Sequence, residues 1–329
     1  MKVVGVNGFG RIGRYFTRLT LDNPNVDVAV VNDLADVKTL AHLLKYDSIH
    51  RGLKHEFTIV NNSIEFKNGK KIVFLAERNP ENIPWSQYGV EIVLESTGIF
   101  RTRELASKHF VGGAKKVVLS APASDSDIRT VVVGINDHLI ESQDNIISNA
   151  SCTTNSAAPM VQVMKDLCKI ESAFITTVHS YTSDQKLHDA PHSDLRRARA
   201  AAESIVPTST GAAKALAKIF PELEGHIGGC GVRVPVPDGS MTDLTFVVKN
   251  PPTEAQINEA MKKASETYLK GIMSFTSDPI VSVDIIGDSN SCIFDAELTS
   301  VIGNMVKVVG WYDNEAGYSN RLVDLIQKI

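Results

Sequence analysis

A chain of 329 residues is longer than one ordinary domain and points to two, each able to bury a core without disulfide or metal staples. Its 43% hydrophobic and 22% charged residues suit a globular enzyme or binding protein, and a formal charge of −4, from 34 basic and 38 acidic residues, argues against a primary role on nucleic acid. No apolar run approaches the roughly 18 residues of a membrane span and no charged-then-apolar leader opens the chain, while the four cysteines, Cys152, Cys168, Cys230 and Cys292, stand far apart without metal-type pairing; the expectation is a reduced, cytoplasmic protein that holds no metal and meets no membrane.

In chain order, the strand-like runs KVVGV (2–6) and VDVAVVN (26–32) flank RIGRYFTRLTL, where Ile12, Phe16 and Leu19 recur at helical spacing. The stretch 56–75, EFTIVNNSIEFKNGKKIVFL, differs: asparagines and a glycine punctuate β-like runs, which predicts a small antiparallel insertion. Further short strands are expected at VEIVLES (90–96), KKVVLS (115–120) and TVVVGIN (130–136). Such strands alternating with helices predict an α/β, doubly wound parallel sheet for the first half. After residue 150, Met160, Val163, Met164 and Leu167 mark a helix. Longer alternating strands follow at AFITTVH (173–179), GVRVPVP (231–237), MTDLTFVV (241–248), PIVSVDII (279–286), SCIFDA (291–296) and VKVVGWYD (306–313). They predict an α+β domain with a mainly antiparallel sheet facing helices such as 253–270. The chain ends in an amphipathic helix with Leu322, Leu325, Ile326 and Ile329 on one face, and no internal repeat or low-complexity linker interrupts this order.

The first turn carries a chemical signal. GFGRIG places Gly8, Gly10 and Gly13 in G-x-G-x-x-G spacing between a strand and a helix, and Asp33 ends the next strand 20 residues after Gly13. Glycines let the backbone approach a pyrophosphate at a helix N-terminus, and the carboxylate holds the adenosine ribose. A carboxylate repels a 2′-phosphate, and the LAD that follows offers no arginine to receive one, so NAD is favoured over NADP.

NASCTTN (149–155) carries the second. Cys152 lies just past an expected strand end, NIIS, and just before a helix, where the terminal field favours thiolate. Cys168, Cys230 and Cys292 sit in apolar or glycine-rich runs and read as small core residues, whereas Ser151, Thr153, Thr154 and Asn155 surround Cys152 with polar groups. A thiol nucleophile needs a base, and His179, at the end of FITTV, is placed to face it. His188 and His192 have i, i+4 spacing in HDAPH, but Pro191 makes a helical metal pair doubtful, and they read as surface residues.

VNGFGRIGR, ESTG, SNASCTTN, TTVHSYTSDQ, DLRRARAA, IVPTSTGAAKA and WYDNEAGYSNR, in this order over essentially the whole chain, resemble the phosphorylating glyceraldehyde-3-phosphate dehydrogenase family. The resemblance implies a Rossmann-type NAD-binding domain, 1–150 with 315–329, and a catalytic domain, 151–314. It implies that Cys152 attacks the aldehyde, that His179 serves as base, and that inorganic phosphate cleaves the resulting thioester to 1,3-bisphosphoglycerate as NAD is reduced, in glycolysis or gluconeogenesis. By the same resemblance Thr182 and Arg233 hold the substrate phosphate, with Thr153 beside the nucleophile, and Ser151, Thr210, Gly211 and Arg197 hold the inorganic one. Arg11 and Ile12 join the glycines at the pyrophosphate, Arg78, Thr97 and Ser120 line the adenine and nicotinamide sides, and Asn314 bonds the nicotinamide amide. Family members are homotetramers, with the 180–205 loop reaching a neighbouring cofactor site.

The sequence departs from that family at three points. Ser156 replaces a cysteine that many relatives carry four residues after the nucleophile, which removes one disulfide partner. Ala316 stands where a bulkier residue is common, and Ala190 precedes Pro191 where leucine is usual in strictly NAD-dependent relatives, which leaves room for some tolerance of NADP. Erythrose-4-phosphate dehydrogenase is the nearest rival, but PTSTGAAKA keeps the hydroxyl and glycine suited to inorganic phosphate. A non-catalytic RNA-binding protein is the rival from another class; the acidic balance and the Cys152–His179 pair argue against it.

Overall fold

Short, mostly apolar runs, the longest of seven residues, become strands of a nine-stranded sheet in the first part of the chain. In the computed structural model, which describes all 329 residues, these elements are β1 (Lys2–Asn7), α1 (Arg11–Thr20), β2 (Val26–Asn32), α2 (Val37–Lys45), β3 (Phe57–Val60), β4 (Ser63–Phe66), β5 (Lys71–Leu75), β6 (Ile92–Glu95), α3 (Arg103–Ser107), β7 (Lys116–Leu119), β8 (Arg129–Thr130) and β9 (Ile146–Ser148). The order is β3-β4-β5-β2-β1-β6-β7-β9-β8. Every pair from β5 to β8 is parallel, while β3, β4 and β5 form the expected antiparallel insertion. Its turns fall at Asn61, with φ 52°, and Gly69, with φ 87°, residue types that enter the left-handed region at least cost. The core beneath β6 and β7 is filled by Ile83, Trp85, Val93, Val117 and Leu119.

One expected strand is mostly not a strand. Of TVVVGIN only Thr130 joins the sheet, within β8. Val131, Val132 and Val133 are buried, but the Val132 N–H donates to the Asn136 side chain at 2.8 Å and Gly134 turns the chain at φ 85°. A short apolar run reads alike for a strand and for a buried turn.

The chain divides into Met1–Val131, Asp137–Ala150 and Ser319–Ile329 as one unit, and Val132–Asn136 with Ser151–Tyr318 as the other. In the second unit α4 (Cys152–Leu167), β10 (Lys169–Ser180), β11 (Val206–Thr208), α5 (Ala212–Ile219), β12 (Ile227–Val234), β13 (Ser240–Lys249), α6 (Glu254–Glu266), β14 (Met273–Thr276), β15 (Cys292–Ile302) and β16 (Met305–Tyr312) precede the terminal α7 (Ala316–Lys328). The seven-stranded sheet runs β11-β12-β10-β13-β16-β15-β14, antiparallel except for β10 with β12 and β14 with β15. Burial alternates residue by residue along β13, so the sheet has one packed face, and α4 fills that face with an almost wholly buried run from Thr153 to Val161. The end of α7 belongs to the first unit, where Lys328 pairs with Asp137 at 2.8 Å and Lys2 reaches the carbonyl of Ile329.

PIVSVDII is not a strand either. Ser282–Ile285 is a single 3-10 turn, and the Asp284 carboxylate accepts from the Val281 N–H at 2.8 Å. Val281 and Val283 are exposed, so the alternation that mimics a strand has no sheet face to bury. A short acidic side chain that bonds its own backbone competes with the ladder. Helix α6 begins at the Thr253–Gln256 capping box and stops short of residue 270, where the chain turns through Gly271 at φ 80°.

Candidate active site

In the first unit a cleft of about 510 Å³ opens beyond the carboxyl ends of β1, β2 and β6, the position where open α/β sheets bind ligands. Gly8, Gly10, Asp33, Arg78 and Thr97 line it, together with Asn7, Asn32, Leu34, Glu77, Ser96, Ile99 and Phe100, which the sequence did not single out. Gly8 has φ 93°, and a Cβ there would lie 2.7 Å from the Thr97 nitrogen, so no other residue fits. Gly10 begins α1 with no side-chain cap and with open space where a Cβ would point. The first N–H groups of α1 therefore face room for an anion, and the cleft fits a dinucleotide. Asp33 is fixed by N–H bonds from Phe9 at 2.7 Å and Ala35 at 3.0 Å. Gly13 serves close packing, since a Cβ would lie 2.2 Å from the Gly8 carbonyl oxygen. Ser120 lies just past β7, outside the cleft lining, with its N–H on the Glu95 carbonyl at 2.9 Å.

The Arg11 side chain turns to Asp47, bonding both carboxylate oxygens at 2.7 and 3.1 Å, so the groups of Arg11 and Ile12 suited to a pyrophosphate are their backbone N–H groups. Burial pushes Asp47 up, but Arg11 and the N–H groups of His50 and Ile49 outweigh it and hold the carboxyl at about 2, below its ordinary 3.8. Because the folded value lies below the unfolded one, the stabilisation is complete above about pH 4 and is lost as pH falls toward 2. With Arg11 partly solvated, it amounts to about 1 to 2 kcal/mol. Asp47→Asn is expected to lower the urea midpoint at pH 7, and the gap from the parent is expected to narrow steadily as unfolding is repeated down to pH 3.

In the second unit Ser151 caps α4: its hydroxyl accepts from the Thr154 N–H at 3.1 Å and meets the Thr154 hydroxyl at 2.8 Å. Cys152 is thereby the first residue of the helix. Just before it, Ala150 is held at φ 56°, a left-handed conformation that costs alanine about 1 to 2 kcal/mol. His179 lies near the end of β10, directly opposite Arg233 across the parallel ladder to β12. The Cys152 Sγ lies 3.5 Å from His179 Nε2. On the other side of the ring, Nδ1 is 2.7 Å from the Ser180 carbonyl, which can only accept, so Nδ1 carries the proton and Nε2 faces the sulfur as an acceptor. Arg233 Nη1, 3.0 Å from Nδ1, therefore directs its hydrogens to the Ser180 carbonyl at 3.0 Å and the Thr182 hydroxyl at 3.1 Å.

Burial raises the Cys152 thiol, with Arg233 and the Thr153 amide pulling the other way, and burial followed by the Arg233 charge pushes His179 down to about 3. Burial thus opposes the charged forms of both groups, against the helix terminus, which favours thiolate. Tyr312 braces the pair: its hydroxyl meets those of Thr153 at 2.9 Å and Thr177 at 2.8 Å, and its ring stands edge-on to His179.

The phosphate-binding candidates form two linked sets. Arg233 and Thr182 are bonded as described, and Arg197 donates to the Thr208 hydroxyl at 2.9 Å and reaches the Ser209 carbonyl at 3.5 Å. Thr210 and Gly211 follow at the start of α5, where the Thr210 hydroxyl accepts from the Ala212 N–H at 3.2 Å. Asp184, missed in the sequence although it lies within TTVHSYTSDQ, joins the sets: it accepts from Arg197 at 2.6 Å and from the Thr182 hydroxyl. Burial opposes its charge, but Thr182, Arg233 and Arg197 lower its pKa, so an anion already sits among these donors. Ser151 uses its hydroxyl in the cap of α4.

Asn314 is buried, and its carbonyl oxygen accepts from the hydroxyls of Ser180 and Ser240, each at 2.8 Å, so its NH2 is the group it offers a ligand. Neither serine was legible, since only the β10–β13 pairing brings them together. Ser156, at the position of the missing cysteine, is buried and accepts from Thr242 at 3.1 Å. Ala316 is fully buried at the start of α7, and the Ala190 N–H bonds the Ala198 carbonyl at 3.0 Å.

Comparison with known proteins yields one family twice. Residues 2–103 match the NAD binding domain of glyceraldehyde 3-phosphate dehydrogenase and residues 151–314 match its C-terminal domain. The chain is 54% identical to glyceraldehyde-3-phosphate dehydrogenase 2 of Streptomyces avermitilis, over 98% of its own length and 96% of that protein. It is 52% identical to glyceraldehyde-3-phosphate dehydrogenase 1 of Bacillus cereus, over 99% and 97%, and 53% identical to the Geobacillus stearothermophilus enzyme, over 98% and 96%.

Proposed function

The chain belongs to the glyceraldehyde-3-phosphate dehydrogenase family and is an NAD-dependent oxidoreductase of glyceraldehyde 3-phosphate, and from that premise we propose that it works through a Cys152 thioester which inorganic phosphate resolves to 1,3-bisphosphoglycerate. The observation that carries this reading is the contact of 3.5 Å between Cys152 Sγ and an acceptor Nε2 of His179, beside the donors of Arg233 and Thr182.

As the sulfur bonds the aldehyde carbon, its proton passes to His179 Nε2 and on to the new oxyanion, giving a hemithioacetal. Amides of the first turn of α4 are suited to stabilising that oxyanion. His179, neutral again, then takes the hydroxyl proton as the carbon loses hydride and the thioester forms. NAD, when bound, supplies the hydride acceptor. Arg233 and Thr182 hold the substrate phosphate, while Arg197, Thr210, the Gly211 amide and Ser151 receive inorganic phosphate, whose oxygen attacks the thioester carbonyl. The departing sulfur recovers its proton from His179. In the cofactor cleft the α1 amides take the pyrophosphate and Asp33 the ribose, with Arg78 and Thr97 at the adenine side; Ser120 of the first unit and the Asn314 NH2 of the second are each assigned to the nicotinamide by the family resemblance alone.

Arg197→Leu tests the second phosphate step. Loss of a charged donor at an anion is expected to raise KM for phosphate about 10-fold or more. The KM for glyceraldehyde 3-phosphate should change far less. Equal effects on both would contradict separate roles for the two arginines.

Two wider features belong to the same reading. Leu187, Leu195 and Ile205 are exposed apolar residues of the 180–205 region, which supports a homotetramer; light scattering that returned the mass of a single chain would contradict it. Four free cysteines suit a cytoplasmic setting, and cell fractionation that recovered the protein in an oxidising compartment would contradict that.

A further inference from the structure

Beneath the cofactor cleft, in the first unit, lies a polar chain through Trp85, His109 and Glu95, three buried residues that the mechanism above does not use. The Trp85 indole N–H donates to His109 Nδ1 at 3.2 Å. Since Nδ1 accepts, Nε2 carries the proton, and it donates to Glu95 Oε2 at 3.0 Å. The same oxygen accepts from the Asn7 amide at 2.6 Å, while Oε1 accepts the Thr97 N–H at 2.9 Å and the Thr97 hydroxyl. Asn7 in turn accepts from the Asn32 amide at 2.8 Å. His109 is fully buried and Glu95 nearly so, yet the far ends of the chain, Asn7, Asn32 and Thr97, all line the cleft.

The directions of these bonds are fixed. Four donors converge on one carboxylate, and neither orientation of an amide in its place serves all four. With NH2 at the Oε2 position it would oppose two donors, and with NH2 at the Oε1 position it would oppose the Thr97 N–H. A carboxylate deep in a parallel sheet is a costly way to fill space, and it persists where it orders what surrounds it. What it orders here is the floor of the cleft. It sets Thr97, against which Gly8 packs so closely that no Cβ fits, and it orients the side chains that end β1 and β2.

We infer that Glu95, held by His109, is a positioning residue for the dinucleotide: it shapes Asn7, Asn32, Thr97 and the glycine turn for the ligand without touching the reacting atoms. This rests on the dinucleotide occupying the cleft. Glu95→Gln keeps the shape and breaks the donor convergence, so calorimetric titration is expected to show a Kd for NAD raised about 10-fold or more. At saturating NAD, kcat should stay within about 3-fold, because binding and not chemistry is altered. His109→Leu, which removes the donor, is expected to weaken NAD similarly, while His109→Gln, whose NH2 can stand in for Nε2–H, should recover most of the affinity.

A folded Glu95→Gln protein that binds NAD as the parent does would overturn the inference, whatever its melting temperature. If that variant fails to fold, the His109 pair decides: equal affinity in the Leu and Gln variants overturns it. Asp33→Asn, titrated alongside, keeps the two readings apart. Weakened binding there with none at Glu95 removes only the positioning role, whereas unchanged binding at Asp33 removes the assignment of the cleft itself.

Discussion

Cys152→Ser is expected to lower kcat for NADH formation from glyceraldehyde 3-phosphate at least about 10³-fold, with the Kd for NAD unchanged. The serine hydroxyl fits the first turn of α4 and can still donate to His179 Nε2, so position and fold are kept. What is lost is chemistry. An alcohol is far harder to deprotonate than a thiol, and an oxygen ester transfers its acyl group to phosphate sluggishly where a thioester transfers it readily. The buried site already raises the thiol above its ordinary value, so a weaker acid in the same surroundings has little chance of ionising. Steady-state rates with matched NAD titrations check this, and a serine variant that kept a tenth or more of the rate would contradict covalent catalysis.

His179→Asn is expected to cost about 10²- to 10⁴-fold in kcat, the range that a positioned acid–base group supplies. Asparagine keeps a polar group near the Ser180 carbonyl but leaves no acceptor aligned 3.5 Å from the sulfur. Both the proton of the thiol and that of the hemithioacetal hydroxyl then have no local destination. Alkylation of Cys152 by iodoacetamide should slow in parallel, since it draws on the same proton acceptor. A variant with normal alkylation and a normal rate would show that the imidazole only fills space.

Much of this site could be read from the chain because its residues stand where elements end. Gly8, Gly10 and Gly13 lie in one strand-to-helix turn, Asp33 follows the next strand, and Cys152 opens a helix; each is a local statement that spacing can express. The antiparallel insertion was legible for the same reason, through its turn residues. What could not be read depends on pairings between distant segments. His179 meets Arg233 across 54 residues only because β10 and β12 run parallel in register, and Tyr312 reaches Thr153 across 159. Asp184 looked like one polar loop residue among several until two donor sets were found to close on it. His109 and Trp85 gave no signal because only the fold lines them up behind Glu95. TVVVGIN and PIVSVDII failed in the opposite way: their side-chain patterns suit strands, but Asn136 and Asp284 bond nearby backbone and turn the chain.

The most direct test is NADH formation from glyceraldehyde 3-phosphate and NAD in phosphate-free buffer, then with inorganic phosphate added. The expected result is a single burst of NADH of about one per Cys152, followed by near silence, with steady turnover and an acid-labile acyl phosphate appearing only when phosphate is present. A steady rate indifferent to phosphate would mean that water resolves the acyl enzyme, and phosphorolysis at Arg197, Thr210 and Gly211 would be contradicted.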